Sequence, residues 1–175
     1  MSTYVDGTSG QRSSGQRLDD VPAEEMLRFR FEDGTTASVW EKWIEMSPRY
    51  IAFWNKWDPG AMTPHHGHHG DHVNFILRGE IRSREHVCPA GTHIMLEYGD
   101  LFGPWVAGPE GADLYGFVAA EGGSGGSAYP GDADLWARWL EEHGAVSVPV
   151  PMPKRMPPWW LAKLASGNVT NWVEE

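Results

Sequence analysis

The chain has 175 residues, 41% hydrophobic and 22% charged, and a formal net charge of -10 at pH 7, the size of one domain with a sizeable core. That negative balance argues against nucleic acid or an anionic membrane as a partner, since both need a cationic face. The single cysteine, Cys88, excludes an internal disulfide, and no stretch reaches the ~20 apolar residues of a membrane helix or forms an apolar signal core, so the expected location is the cytoplasm.

Residues 1–20 are rich in Gly, Ser and Gln and are expected to lack structure. Leu27, Phe29 and Phe31 then alternate with arginines, ending at an Asp33-Gly34 turn. "TASVWEKWIEM" and "YIAFWNKW" read as two further strands either side of Ser47-Pro48. After the His-rich tract come "VNFILRGEIRSRE", the "CPAG" turn, "THIMLEYGD", and two more short strands in "LFGPWVAG" and "ADLYGFVAA". Residues 121–131 read as a Gly-rich linker. In the remaining segment, 132–175, Asp132 or Asp134 can cap a helix with a stripe of Leu135, Trp136, Trp139 and Leu140, ended by Gly144. A Pro-rich extended crossing and a short second helix, "WWLAKLASG", follow. Many short strands at this spacing indicate an antiparallel sandwich or barrel over residues 21–120, with the helices appended.

The tract "PHHGHHGDH", residues 64–72, holds five of the eight histidines. A strand points alternate side chains to one face, so His66 and His68 share a face while His65 and Gly67 point away. A Gly70-Asp71 turn then lets His72 open the next strand. Two strands joined by a tight turn can aim His66, His68 and His72 at one point, and three imidazoles there suit a divalent transition metal. His65 and His69 read as surface or supporting histidines.

"PGAMTPHHGHHGDHVNFILRGE" resembles the first motif of the cupins: a glycine, five residues, a His, one residue, a His, three or four residues, a Glu, six residues and a glycine. Gly60, His66, His68, His72 and Gly79 meet that spacing, with His72 in place of the Glu. The resemblance covers roughly residues 27–120 and implies a double-stranded β-helix (jelly-roll) barrel with its metal inside. The second cupin motif is weaker here. "GDLFGPWVAGPEG" has Gly99-Asp100 and Pro104 but no histidine, and the ligand position falls on or near Glu110. His93, in "THIMLEYGD", lies by alternation on the outer face with Met95 and Glu97, unless a bulge reverses the parity. The fourth ligand is Glu110, His93 or water.

Asn74 shares the inward face of His72 and is either a hydrogen-bonded core amide or a group that orients substrate or bound oxygen. Cys88 reads as an inert thiol, having no visible environment that lowers its pKa. Most of the ten tryptophans are expected to pack in the core, those of the terminal helices included, and His143 suits the end of its helix. A metal held by neutral imidazoles keeps its charge and has open positions for an enolate, hydroxy-ketone or catechol-like oxygen pair. With Fe(II) this predicts a dioxygenase for a small diketone- or aromatic-ketone-like compound, and the resemblance to cupins with all-histidine sites implies the same. The alternatives are a Lewis-acid isomerase, lyase or hydrolase using Mn, Ni, Co or Zn, and a non-catalytic small-molecule-binding cupin. Cupins often pair, so the resemblance also allows a homodimer.

Overall fold

The computed structural model describes residues 17–47, 49–119 and 128–154, and the backbone alone of 3–6, 12–15 and 172–173. In chain order the strands are β1 (Thr3–Asp6), β2 (Arg12–Gly15), β3 (Glu24–Phe31), β4 (Thr36–Met46), β5 (Tyr50–Trp57), β6 (Met62–Thr63), β7 (His66–His68), β8 (His72–Arg82), β9 (Val87–Pro89), β10 (His93–Leu96), β11 (Trp105–Ala119), β12 (Ala128–Pro130), β13 (Ala145–Val148), β14 (Val150–Pro151) and β15 (Trp172–Val173). One α-helix, α1 (Ala133–Glu142), lies between β12 and β13. Among the described residues no helix is long and apolar enough to cross a membrane.

The main sheet has nine strands. Its path runs β10-β8-β11-β5-β4-β3-β13, with β6 added against β11 and β9 against β8. The pairings within it are antiparallel. This is a jelly-roll β fold with a small helix, as the strand spacing predicts. Alternation sets its inner face: Val39, Glu41 and Trp43 on β4, and Ile51, Phe53, Asn55 and Trp57 on β5, all face one cavity, as period-2 side chains must. Phe29, Ile51, Met62, Ile76, Leu114 and Val118 are fully buried, each such side chain contributing about 1.5–3 kcal/mol by leaving water.

Four places differ from the sequence reading. Within residues 1–20, β1 and β2 pair antiparallel and Leu18–Asp20 forms a 3-10 helix; Thr3, Tyr4 and Val5 are strand formers despite their polar surroundings. The two short strands expected in 101–108 and 112–120 are joined in one long strand, β11 (Trp105–Ala119), because a bulge rather than a break separates them. The register jumps between Ala107 and Ala112, and Arg78 holds the displaced backbone. Its Nε donates to Asp113 Oδ2 (2.8 Å) and its Nη1 to the Glu110 carbonyl (3.1 Å). Part of the expected linker, Ala128–Pro130, is the strand β12, paired with β7. Finally, the segment after α1 is not simply appended: β13 extends the main sheet by pairing with Phe31–Arg28 of β3.

The expected helix in 159–167 lies outside the described residues, as do Trp159 and Trp160. Helix α1 forms as its sequence predicts. Asp132 accepts a hydrogen bond from the Leu135 N–H (2.9 Å), satisfying an otherwise orphaned donor. Trp139 is buried and Trp136 meets Phe29 edge-on, ring centres 5.9 Å apart, so the apolar stripe seats the helix on the barrel. His143 closes the helix, its Nδ1–H donating to the Trp139 carbonyl (2.8 Å).

Candidate metal centre and binding cavity

Strand β7 and the start of β8 bring three histidines together. The ring centres of His66 and His68 are 5.2 Å apart and those of His68 and His72 are 4.7 Å apart. Imidazoles bound to one ion at about 2.0–2.1 Å place their ring centres about 4.5–5.2 Å from one another at angles between square and tetrahedral. The observed spacings lie within that window. As the rings stand, among the described residues no three His, Cys, Asp or Glu side chains gather their donor atoms at metal-binding distance, so a bound ion would need the rings to turn.

The donor set nonetheless fits a metal. Both ring nitrogens of His72 are buried without a hydrogen-bond partner, a costly state for polar atoms unless something ligates them. His66 Nδ1 lies 2.8 Å from the Pro64 carbonyl; a carbonyl only accepts, so Nδ1 carries the proton and Nε2 keeps the lone pair. That is the arrangement by which a backbone carbonyl fixes the tautomer of a metal-binding histidine. Burial is the main force on both rings. The pKa of His66 falls to about 3, with help from His68, while the Pro64 bond opposes the shift. His72 also falls to about 3, through burial and then His66. Asn74 offsets that a little, from beyond regular hydrogen-bond geometry, since Asn74 Oδ1 has no partner of its own. Both rings are therefore neutral near pH 7, the form that ligates.

The backbone explains the parity. Phe102 bridges His66 through both backbone bonds (3.0 and 2.9 Å), and its ring lies 4.3 Å from that of His66 and 5.4 Å from that of His72. On the other side of β7, Tyr129 of β12 lies so close to Gly67 that a Cβ there would sit 2.5 Å from the phenol ring and 2.6 Å from the Asp100 carbonyl. Glycine is the residue that fits between His66 and His68. His65 and His69 stay outside the centre: His65 Nδ1 accepts from the Asp132 N–H (2.8 Å), and the His69 ring packs 4.9 Å from Tyr129.

Of the other sequence-predicted residues, Asn74 lines the cavity. His93 is exposed and pairs with Phe75 at the sheet edge, on the outer face as alternation predicts. Glu110 is exposed and not part of the cavity wall. The count from Gly99 followed the spacing of the second cupin motif; here Glu110 lies within the register shift between Ala107 and Ala112. Cys88 is buried, and burial pushes its thiol pKa up, as suits an inert thiol.

The three histidines are among the residues that line a cavity of about 130 Å³. Its walls are mostly apolar, with Trp43, Phe53 and Trp57 among them. Sequence reasoning missed its most unusual member, Glu41. Flanked by Trp40 and Lys42 it reads as a surface charge, yet it shares its face with Val39 and Trp43, and that parity was the available signal. Glu41 is only 8% exposed. Burial, with the like charge of Glu24 behind it, raises its carboxyl to about 8, so it is protonated at neutral pH.

No family model and no curated relative matches this sequence. Solved structures do match in fold. A candidate acetylacetone dioxygenase from Methylibium petroleiphilum is 15% identical, with 71% of this chain and 92% of that one covered, at a TM-score of 0.51. An RmlC-like cupin from Ralstonia eutropha is 17% identical over 74% of this chain and 88% of the other, at 0.47. The complex of the anti-sigma ChrR with SigE from Rhodobacter sphaeroides matches at 19% identity and 0.46, over 59% of this chain and 52% of that one, so this chain spans about half of its length. At such identities the likeness is one of fold.

Proposed function

We propose that this chain, a cupin by fold, is a metal-dependent dioxygenase in which His66, His68 and His72 hold one Fe(II) ion and a small oxo or hydroxy compound reacts with O2. The observation that carries the reading is the set of three imidazoles at ion-sharing spacing on the wall of an apolar cavity, with both His72 nitrogens buried and unpartnered. A bound Fe(II) would supply sites for an oxygen-bearing substrate and for O2 together. Mn, Ni, Co or Zn are the other ions this donor set accepts.

The protein's own part is positioning. His66 is held in one tautomer by Pro64. Phe102 packs against the rings of His66 and His72 and excludes water from that side. Asn74 lies on the cavity wall near His72 with an unsatisfied carbonyl oxygen, placed to orient the substrate through a hydrogen-bond donor. The apolar walls keep solvent from the reacting groups. The name of the Methylibium neighbour supports the reading as an analogy of fold. Glu41 favours a second reading, Lewis-acid isomerase, lyase or hydrolase chemistry, because a protonated carboxyl in the cavity can move a proton.

The test compares the Fe(II) and Zn(II) forms on one diketone or hydroxy-aromatic ketone, with and without air. Turnover by the Fe(II) form with matching O2 uptake is the expected result. Equal turnover by the zinc form under nitrogen would overturn it and favour the Lewis-acid reading.

A further inference from the structure

The cavity has a second polar region, built across β4, β5, β11 and β8. Glu41 is the cross-strand partner of Asn55, which puts their Cβ atoms about 4.5–5.5 Å apart. One row along the sheet, Phe53 and Asn74 both flank Gly116. A Cβ on Gly116 would sit 2.2 Å from the Phe53 ring and 2.7 Å from Asn74 Oδ1, so the missing side chain lets both groups lie over the backbone. Asn55 Oδ1 and Asn74 Oδ1 are buried without partners. Among the described residues no cation pairs with Glu41; the one charged group acting on it is Glu24, its neighbour on β3.

We infer that the Glu41, Asn55 and Asn74 region of the cavity binds the protonated amine of a small ligand whose oxygen-bearing end faces the histidines. Charge and donor count both select an ammonium. A carboxylate or phosphate would face the two unpartnered carbonyl oxygens of Asn55 and Asn74, which repel it, and could be met by Glu41 only in its protonated form. A hydroxyl brings one donor to three acceptor groups, whereas an ammonium brings three donors and no acceptor. Its positive charge also suits the aromatic rings of Trp43, Phe53 and Trp57 on the same walls, and on binding it favours the ionised form of Glu41, whose carboxyl is otherwise held protonated. The wall also carries an unpartnered donor, Trp57 Nε1, and an indole N–H can serve the ligand's oxygen atoms.

This names the substrate class of the site proposed above and rests on that cavity being a substrate site, but not on the metal. The probe is therefore propylammonium, titrated calorimetrically into the full-length protein as purified and after chelator treatment, with propanol and propionate as controls. Propylammonium is expected to bind about tenfold more tightly than either control, equally with and without metal. Glu41→Gln and, separately, Asn55→Leu are each expected to bring it to the level of propanol. Equal binding of propylammonium and propanol, or unchanged binding in both variants, overturns the inference; O2-dependent turnover by the Fe(II) form would in that case still support the dioxygenase reading.

Discussion

Glu41→Gln should make this protein more stable, by an amount set by pH. The side-chain pKa is 4.5 in the unfolded reference and about 8 in the folded protein. A carboxyl whose folded pKa is raised contributes stability fully present below the unfolded value and lost as pH rises through the folded one. Each pH unit between the two costs about 1.4 kcal/mol. The native glutamate therefore costs almost nothing near pH 4.5, roughly 3 kcal/mol at pH 7 and roughly 5 kcal/mol above pH 8. Glutamine has nearly the same shape and does not titrate, so the variant should gain by those amounts. The assay is urea denaturation of both proteins, chelator-treated, at about pH 5, 7 and 8.5, with slopes compared so that midpoints report stability. The gap in stability should be small at the lowest pH and widen with each step. A gap that stays constant across the series would refute the reasoning, since the carboxyl would then titrate alike in both states. A residue that weakens the fold in this way needs a functional reason to be there, and the ligand amine provides one.

Three further outcomes are expected. His66 and His72, both lowered to about 3, stay neutral in the folded protein while the unfolded chain takes up protons below about pH 6.5. Metal-free protein should therefore lose roughly 1.4 kcal/mol per histidine per pH unit as pH falls from about 6.5 toward 3; urea midpoints of Glu41→Gln, which lacks the opposing carboxyl, read this directly, and a flat profile would contradict it. Gly67→Ala should push β12 off β7, because its Cβ overlaps Tyr129 and the Asp100 carbonyl, costing about 1–3 kcal/mol; thermal unfolding and metal titration of the variant should both fall, and unchanged metal affinity would sever the link between Tyr129 and the centre. Ile76→Ala, at a fully buried position, should cost about 2–5 kcal/mol in urea unfolding, whereas a loss below ~1 kcal/mol would mean that the site collapses around the smaller side chain.

How far the sequence could be read depended on how local the cause was. Strands β4 and β5 span the residues their alternation marks out, and Asp132 rather than Asp134 caps α1 because it alone precedes the first helical residue. The convergence of His66, His68 and His72 also followed from period-2 geometry and one turn. Long-range placement was less visible. A stretch rich in Gly and Ser gives no sign that Ala128–Pro130 will pair with β7. The outward path of Glu110 depends on Arg78, thirty-two positions away, accepting nothing and donating to its carbonyl. The acidity of Glu41 depends on burial between strands brought together only by folding. Parity along β4 could have flagged it, but sequence composition alone favours a solvated face for a charged residue.

The central claim is that His66, His68 and His72 hold one transition-metal ion. The most direct measurement is elemental analysis of untagged protein purified without added metal, run beside His68→Ala. The account predicts close to one ion per chain in the native protein, iron foremost, and an emptied site in the variant that circular dichroism shows to be folded. Metal-free native protein that also fails to take up Fe(II), Mn, Ni, Co or Zn on titration, or a His68→Ala variant that keeps a full complement, would contradict it.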